Sequence, residues 1–282
     1  MNDQNSSGRR INYAVVRRYF QAAGSNTAAT ASYMAHEQNL PENSIHYRLG
    51  KEITTVADWL DAAPPSGRVL DLGCGAGSWT KMFANRFDSV VGFEQSASMV
   101  AAARALLAPF PGAEIVEGDV RTDIPEGPFD LIFLGGLCMY LDNNDAVEML
   151  RSLKGRLAPG ASIVLRETTV PQGTLTPEGA YQAVYRNVQL YQDLFREAGF
   201  PPAQLRRNYA YTNMEVAVEL VEARRKYFRF LPDQSDFLGA LTWYSLRVLA
   251  PLSFWLLPRA LSRLQVNWPY LQNHFFRLSA LE

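Results

Sequence analysis

The sequence predicts an α/β fold, a mostly parallel sheet flanked by helices, on three observations. Short apolar runs alternate with helix-period segments through the middle of the chain, and the run RVLDL breaks into a glycine cluster before a helical segment. The 282 residues are 48% hydrophobic, enough for a substantial core. Continuous apolar runs mark strands buried on both faces, and strands that alternate with helices pair in parallel through crossovers.

The elements follow in order. Residues 1–65 read as a helical cap around YAVVRRYF, TAATASYMAHEQ and IHYRLGKEITTVADWL, linked to the sheet by Pro64-Pro65-Ser66-Gly67. Strand and helix then alternate: VLDLG with SWTKMFANRF, VVGFE with SASMVAAARALLAPF, AEIVEGD, FDLIFLGG with DNNDAVEMLRSLKGRL, and ASIVLRE. Ser96 is placed to cap the helix that follows it, Asp145 and Glu148 have capping-box spacing, and Pro159-Gly160 is expected to stop the helix before it. AQLRRNYAY and NHFFRLSAL read as the last two strands. The core therefore comprises 66–213 plus 271–282, with a helical insertion over 214–270.

Composition excludes several function classes. Formal net charge is -1 and the pI about 6.3, so no overall positive field attracts a nucleic-acid backbone. DNA is not an expected partner, and RNA is disfavoured. Cys74 and Cys138 are the two cysteines, too few for a disulfide framework or a zinc site. The opening MNDQNSSGRRINYAVVRRYF lacks an apolar h-region and cleavage site, so a cytoplasmic, reduced protein is expected.

The glycine stretch RVLDLGCGAGSWT carries the chemistry. Gly73, Gly75 and Gly77 let the chain turn from strand to helix and let a ligand approach the backbone. A dinucleotide site would show GxGxxG, whereas this reads GxGxG with Asp71 two residues upstream. The stretch resembles motif I of the class I S-adenosylmethionine-dependent methyltransferases. The resemblance covers residues 66 to about 200, and it implies a Rossmann-like sheet of seven strands, mostly parallel with the last antiparallel. It also implies S-adenosyl-L-methionine as cofactor, received by Asp71, Gly73 and Gly75. Glu94, with Gln95 beside it, ends the second strand where a carboxylate accepts both ribose hydroxyls. By the same resemblance Asp119 bonds the adenine amino group and the Val120 backbone reads the ring edge. Gly135 would offer its carbonyl to the methionine amine, and Arg48 would pair with the methionine carboxylate.

The implied reaction is in-line displacement of a sulfonium methyl, in which the protein mainly holds a nucleophile about 3–3.5 Å from the carbon. GGLCMYL and RETT should surround the methyl, which makes Tyr140 and Glu167 candidates for contacting the acceptor. Glu167 closes an apolar strand, where desolvation could tune it toward a general base; the competing reading is an ion pair with Arg166 or Arg186. His36 joins the catalytic candidates because it and His46 precede the first strand in a segment able to cover the cofactor. No metal is expected: Asp142, Asn143, Asn144 and Asp145 are better explained by capping the next helix than by a hard-cation site.

The expected acceptor is a small or lipid-like molecule, hydrophobic or amphipathic, with oxygen or nitrogen favoured as nucleophile and carbon open. Two alternatives stand beside it: a peripheral membrane-binding protein with a non-catalytic methyltransferase-like domain, and an RNA methyltransferase. The insertion bears on both. From Arg224 to Tyr270 seven basic residues face two acidic ones around LGALTWYSLRVLAPLSFWLLPRAL. A spanning helix is disfavoured, since Arg247 near its centre would cost about 2.5–3.5 kcal/mol and Pro251 breaks the run. Two short helices fit better, as a cap over the acceptor pocket, a homodimer contact, or a peripheral membrane contact through 237–258.

Overall fold

In the computed structural model, residues 11–24, 39–177, 182–249, 252, 256–266 and 269–279 are described. The expected helix TAATASYMAHEQ, with His36, lies outside them. Helix α1 (Tyr13–Gly24) is followed by α2 (Asn43–Thr55) and the short α3 (Ala57–Leu60), then by β1 (Arg68–Leu72) and α4 (Ser78–Ala84). Next come β2 (Ser89–Glu94), α5 (Ala97–Leu107), β3 (Ala113–Glu117), β4 (Phe129–Leu134), a 3-10 turn (Cys138–Tyr140), α6 (Asn143–Lys154) and β5 (Leu157–Thr169). A small hairpin of β6 (Thr174–Leu175) and β7 (Tyr185–Arg186) precedes α7 (Val188–Glu197) and β8 (Gln204–Arg207). The chain ends through α8 (Tyr209–Tyr227), α9 (Asp236–Val248), α10 (Leu257–Arg263) and β9 (Gln272–Ser279).

The sheet runs β3-β2-β1-β4-β5, all parallel; β9 joins β5 antiparallel, and β8 pairs antiparallel with β9. With the β6–β7 hairpin the sheet has nine strands, two more than expected, because β7 catches the end of β5 at Thr169. Period-two alternation divides the apolar runs between two cores. Leu70, Leu72, Ile132, Leu134, Ile163 and Leu165 pack with α6 and α7, while Val69, Leu131, Phe133 and Val164 pack with α3 and α4. Two buried faces explain why the strands read as continuous apolar runs.

Three local expectations fail, each for a physical reason. Ser96 sits at the N-cap of α5 without a side-chain cap bond; its Oγ meets Gln21 of α1 and Ser98 instead. The N-cap of α6 is Asp142, and no capping box forms: Asp142 accepts the Ile11 amide, and Asp145 accepts the Tyr13 hydroxyl. The acidic cluster thus anchors α1. Helix α6 ends at Lys154 with Gly155 as its C-cap, and Pro159-Gly160 lie inside β5, at the irregular register between Phe129 and Leu131 of β4. The run AQLRRNYAY is strand only over Gln204–Arg207, because Asn208 caps α8 by accepting the Tyr211 amide.

Candidate cofactor cleft and active site

The C-terminal ends of β1, β2 and β3 lie side by side, Leu72 opposite Phe93 and Glu94 opposite Glu117. Amides of Gly73 and Cys74 donate to the Phe93 carbonyl, and the Gly118 amide donates to that of Glu94. The glycines are required where they stand: Gly73, Gly75 and Gly77 have φ of 75°, 55° and 89°, the left-handed region. A Cβ on Gly73 would press on Leu137 and one on Gly77 on Leu107, but one on Gly75 would meet nothing within 4 Å. Gly75 therefore borders open space at the strand ends, a cradle that any side chain would fill.

Glu94 holds this loop from the neighbouring strand. Its carboxylate accepts the Gly75 amide at 3.1 Å and the Ser96 amide at 2.9 Å, and burial raises its pKa against both bonds. A carboxylate has further lone pairs, so both ribose hydroxyls can still be received. Asp71 is buried, accepts the Thr80 hydroxyl at 2.6 Å, and is pushed by burial to about 7. Gln95 is half-buried beside Glu94, and Val120 is buried. Asp119 differs from expectation: Arg121 forks onto both its oxygens at 3.0 and 2.6 Å, and Arg17 of α1 lies 3.7 Å away. The Arg121 bonds hold Asp119 below the ordinary carboxylate range. An adenine amino group would have to share it with these guanidinium groups.

Helix α1 crosses this edge. Besides Arg17, Gln21 meets Ser96 and Ser98, Tyr13 meets Asp145 and the Asp142 amide, and Phe20 packs edge-on against Tyr140 at 5.0 Å. Tyr140 is thereby placed beneath α1 at the margin of the cleft.

Beyond β4 and β5, adjacent residues of one strand turn to opposite faces. Arg166 donates to the Gly135 carbonyl at 3.0 Å and to Glu52 of α2 at 3.2 Å. The Gly135 carbonyl, expected from the sequence to take a methionine amine, is thus half used; its second lone pair remains. Arg48 lies 3.9 Å from Glu52, and it and Arg166 stand 5.9 Å from the Tyr211 ring. Buried Glu52 also accepts Asn208 at 2.8 Å. Among the described residues, Arg48 Nε, Arg166 Nε, Glu215 Oε1, Asn213 Oδ1 and Ser44 Oγ are buried without a hydrogen-bond partner. Burial pushes Glu215 to about 7. This seam between α2, α8 and β5 holds more polar capacity than its own bonds use.

Glu167 faces inward. It is fully buried, accepts the Cys138 amide at 3.0 Å and the Tyr191 hydroxyl at 3.2 Å, and burial lifts it to about 7. Arg186 binds the same turn through the carbonyls of Cys138 and Leu141. Neither ion pair anticipated for Glu167 forms; with Arg186 and Tyr191 it fixes the turn after β4. His46 is an exposed partner of Glu42, and His274 is buried, bonds Thr169 at 2.8 Å and is lowered by burial to about 4.

Sequence reasoning passed over Glu52, Arg166 as a cleft residue, Arg17 and Arg121. The i,i+4 spacing of Arg48 and Glu52 could have revealed the first. The other three depend on long-range packing or on a turn whose direction the sequence does not state.

A GxGxG loop after β1, an acid at each neighbouring strand end and a sheet closed by an antiparallel β9 make the chain similar to the class I S-adenosylmethionine-dependent methyltransferases. Residues 69–160 match the family described as methyltransferase domain. The chain is 35% identical over 107 residues to a trans-aconitate 2-methyltransferase of Methylobacterium nodulans, covering 37% of this chain and 39% of that one. It is 29% identical over 181 residues to the protein of that name from Shigella dysenteriae, covering 64% and 67%. The chain thus spans about two fifths of the length of the first relative and two thirds of the second. The fold is similar to that of phosphoethanolamine N-methyltransferase 2 of Haemonchus contortus, solved with S-adenosyl-L-methionine, at TM-score 0.61 and 17% identity, covering 93% of this chain and 60% of that one. It is likewise similar to a SAM-dependent methyltransferase of Leishmania major, at TM-score 0.58 and 20% identity, covering 70% and 76%. No described helix is long and apolar enough to cross a membrane.

Proposed function

We propose that the chain binds S-adenosyl-L-methionine at the glycine loop and methylates a small-molecule acceptor, with oxygen as the favoured nucleophile. The observation that carries this reading is the loop itself: Glu94 grips the Gly75 amide while the face of Gly75 stays open. Bound there, the cofactor supplies a methyl on a cationic sulfur. Asp71 at the floor offers a carboxylate to positive charge, and an approaching cation would favour its ionised form. Glu94 is positioned to accept ribose hydroxyls and Asp119 to receive the adenine amino group, shared with Arg121. Arg48 is suited to a carboxylate of the cofactor, and Arg166 orients the Gly135 carbonyl.

The acceptor side is polar. The buried seam of Arg48, Arg166, Glu52 and Glu215 suits an acceptor with anionic or hydrogen-bonding groups better than a wholly apolar one. Relatives named for trans-aconitate support the same choice. Titration calorimetry with S-adenosylmethionine and its demethylated product tests the first half of the reading: binding is expected, and none would end it. Transfer of labelled methyl to trans-aconitate and other small acids tests the second. Binding without transfer to any of them would leave the cofactor site standing and remove the acceptor class.

A further inference from the structure

Exposed large hydrophobic side chains are concentrated in one part of the described molecule. Among the described residues sixteen such side chains are exposed, and fourteen of them lie between Tyr227 and Tyr270. On α9 they form a stripe at helical spacing, Phe237, Leu241, Tyr244 and Val248, while Gly239, Trp243 and Leu246 turn inward onto the core shared with α2 and α8. The helix is therefore apolar on two faces, and among the described residues only the inner one packs into a core cluster. Phe228 and Phe230 before α9, and Leu252, Leu256 and Leu264 after it, extend the outward apolar surface.

Charge decides what can cover it. The segment from Arg224 to Tyr270 holds seven basic and two acidic residues in a chain of net charge -1, so the rest of the protein is acidic. Arg224, Arg225 and Lys226 close α8, Arg247 closes α9 and Arg263 closes α10. A second copy meeting this face about a two-fold axis would set these cations against themselves. A nucleic acid would match the charge but would leave the aliphatic groups of Leu241, Val248, Leu252 and Leu256 against phosphate. A bilayer surface bearing anionic headgroups satisfies both, apolar groups entering the acyl boundary and guanidinium groups remaining at the headgroups. Where α9 meets α2, a groove of about 350 Å³ is lined by Asn43, Tyr47, Trp243, Tyr244, Arg247 and Val248, with the Arg247 guanidinium 3.8 Å from the Tyr47 ring centroid. It adjoins the stripe and shares α2 with the cleft.

We propose that the α9 face, with the basic-aromatic run before it and α10 after it, docks the protein on an anionic lipid surface. The basic residues orient the acidic remainder of the protein away from the bilayer.

Flotation of the full chain, without cofactor or acceptor, tests this independently of methyl transfer. Vesicles of zwitterionic lipid are compared with vesicles containing phosphatidylserine. Preferential binding to the anionic vesicles, weakened at high salt, is expected. Replacing Phe237, Leu241 and Val248 together by serine should cut that binding tenfold or more (about 1.4 kcal/mol per tenfold) with the circular dichroism spectrum unchanged. Arg229→Glu with Arg263→Glu, which leaves the apolar stripe intact, should abolish the preference for anionic lipid. The proposal fails if the full chain ignores anionic vesicles at low salt, or if the serine variant binds them equally. It also fails if sedimentation shows a dimer that the serine variant dissolves while neither protein floats. A serine variant that misfolds leaves the arginine pair to decide on the same two outcomes.

Discussion

At the ends of β1, β2 and β3 the cleft is made from groups that lie a few residues from a strand end: the Gly75 amide on Glu94, the Ser96 amide on Glu94, Thr80 on Asp71. At the ends of β4 and β5 the parts come from far along the chain. Arg166 meets Glu52 across 114 residues, and Asn208 meets Glu52 across 156. The first half is a backbone cradle whose geometry is fixed by left-handed glycines; the second is a charged seam whose geometry is fixed by how α2 and α8 dock. A cofactor shared by a whole class suits the first kind of site. An acceptor that differs from protein to protein suits the second, where side chains change without rebuilding the strand ends.

The contrast can be broken most forcefully at Arg166. Removing one member of a buried ion pair leaves an uncompensated charge, so Arg166→Met should lower unfolding free energy by about 3–5 kcal/mol. Adding Glu52→Gln should recover much of that loss in urea melts. A single variant as stable as the parent would show that the seam is not a packed ionic unit. On the cradle side, Gly75→Val forces a branched residue into the left-handed region at about 1–3 kcal/mol and fills the open space. Calorimetry should then show cofactor affinity lowered at least about tenfold. Unchanged affinity would mean that the ligand does not approach this loop.

Glu94→Ala should weaken cofactor binding by about 1–3 kcal/mol, since it removes a hydroxyl acceptor and the partner of Gly75 together. Glu167→Gln separates the two tasks considered for that residue. Its buried position predicts a stability loss of about 1 kcal/mol, unchanged cofactor affinity and a modest rise in acceptor KM. A large fall in kcat alone would identify it as a base.

The last comparison is in pH. Asp71, Glu167 and Glu215 titrate at about 7 in the folded chain, against roughly 4 when unfolded. The folded state therefore holds protons that the unfolded state has released. Their contribution is fully present below about pH 4 and is lost as pH rises through about 7. His274, lowered to about 4, works oppositely: stability rises from about pH 4 to about 6.5 as the unfolded histidine gives up its proton. Urea midpoints between these limits should decline more gently in Glu215→Gln than in the parent. An equal decline would show that Glu215 ionises normally.

What the sequence determined by itself is the ladder of buried strands, the glycine loop, and the acids at Asp71, Glu94 and Asp119, because each is a local pattern of apolar period, backbone freedom or residue type beside a strand end. The same local reasoning gave the right class and misjudged particular side chains. Asp145 and Ser96 looked like caps because nothing nearby in sequence discloses that α1 would arrive to use them. Glu167 was readable as a strand-end carboxylate, whereas the face it occupies is set by β5 pairing with β4 and β9. Tertiary structure alone decided that Arg166 and Glu167, neighbours in the chain, serve a cleft and a core turn respectively. It also decided that Phe237, Leu241, Tyr244 and Val248 of α9 stand exposed. Pleat and packing assign each side chain a face, and those assignments depend on partners a hundred residues or more away, as Glu52 and Arg166 illustrate.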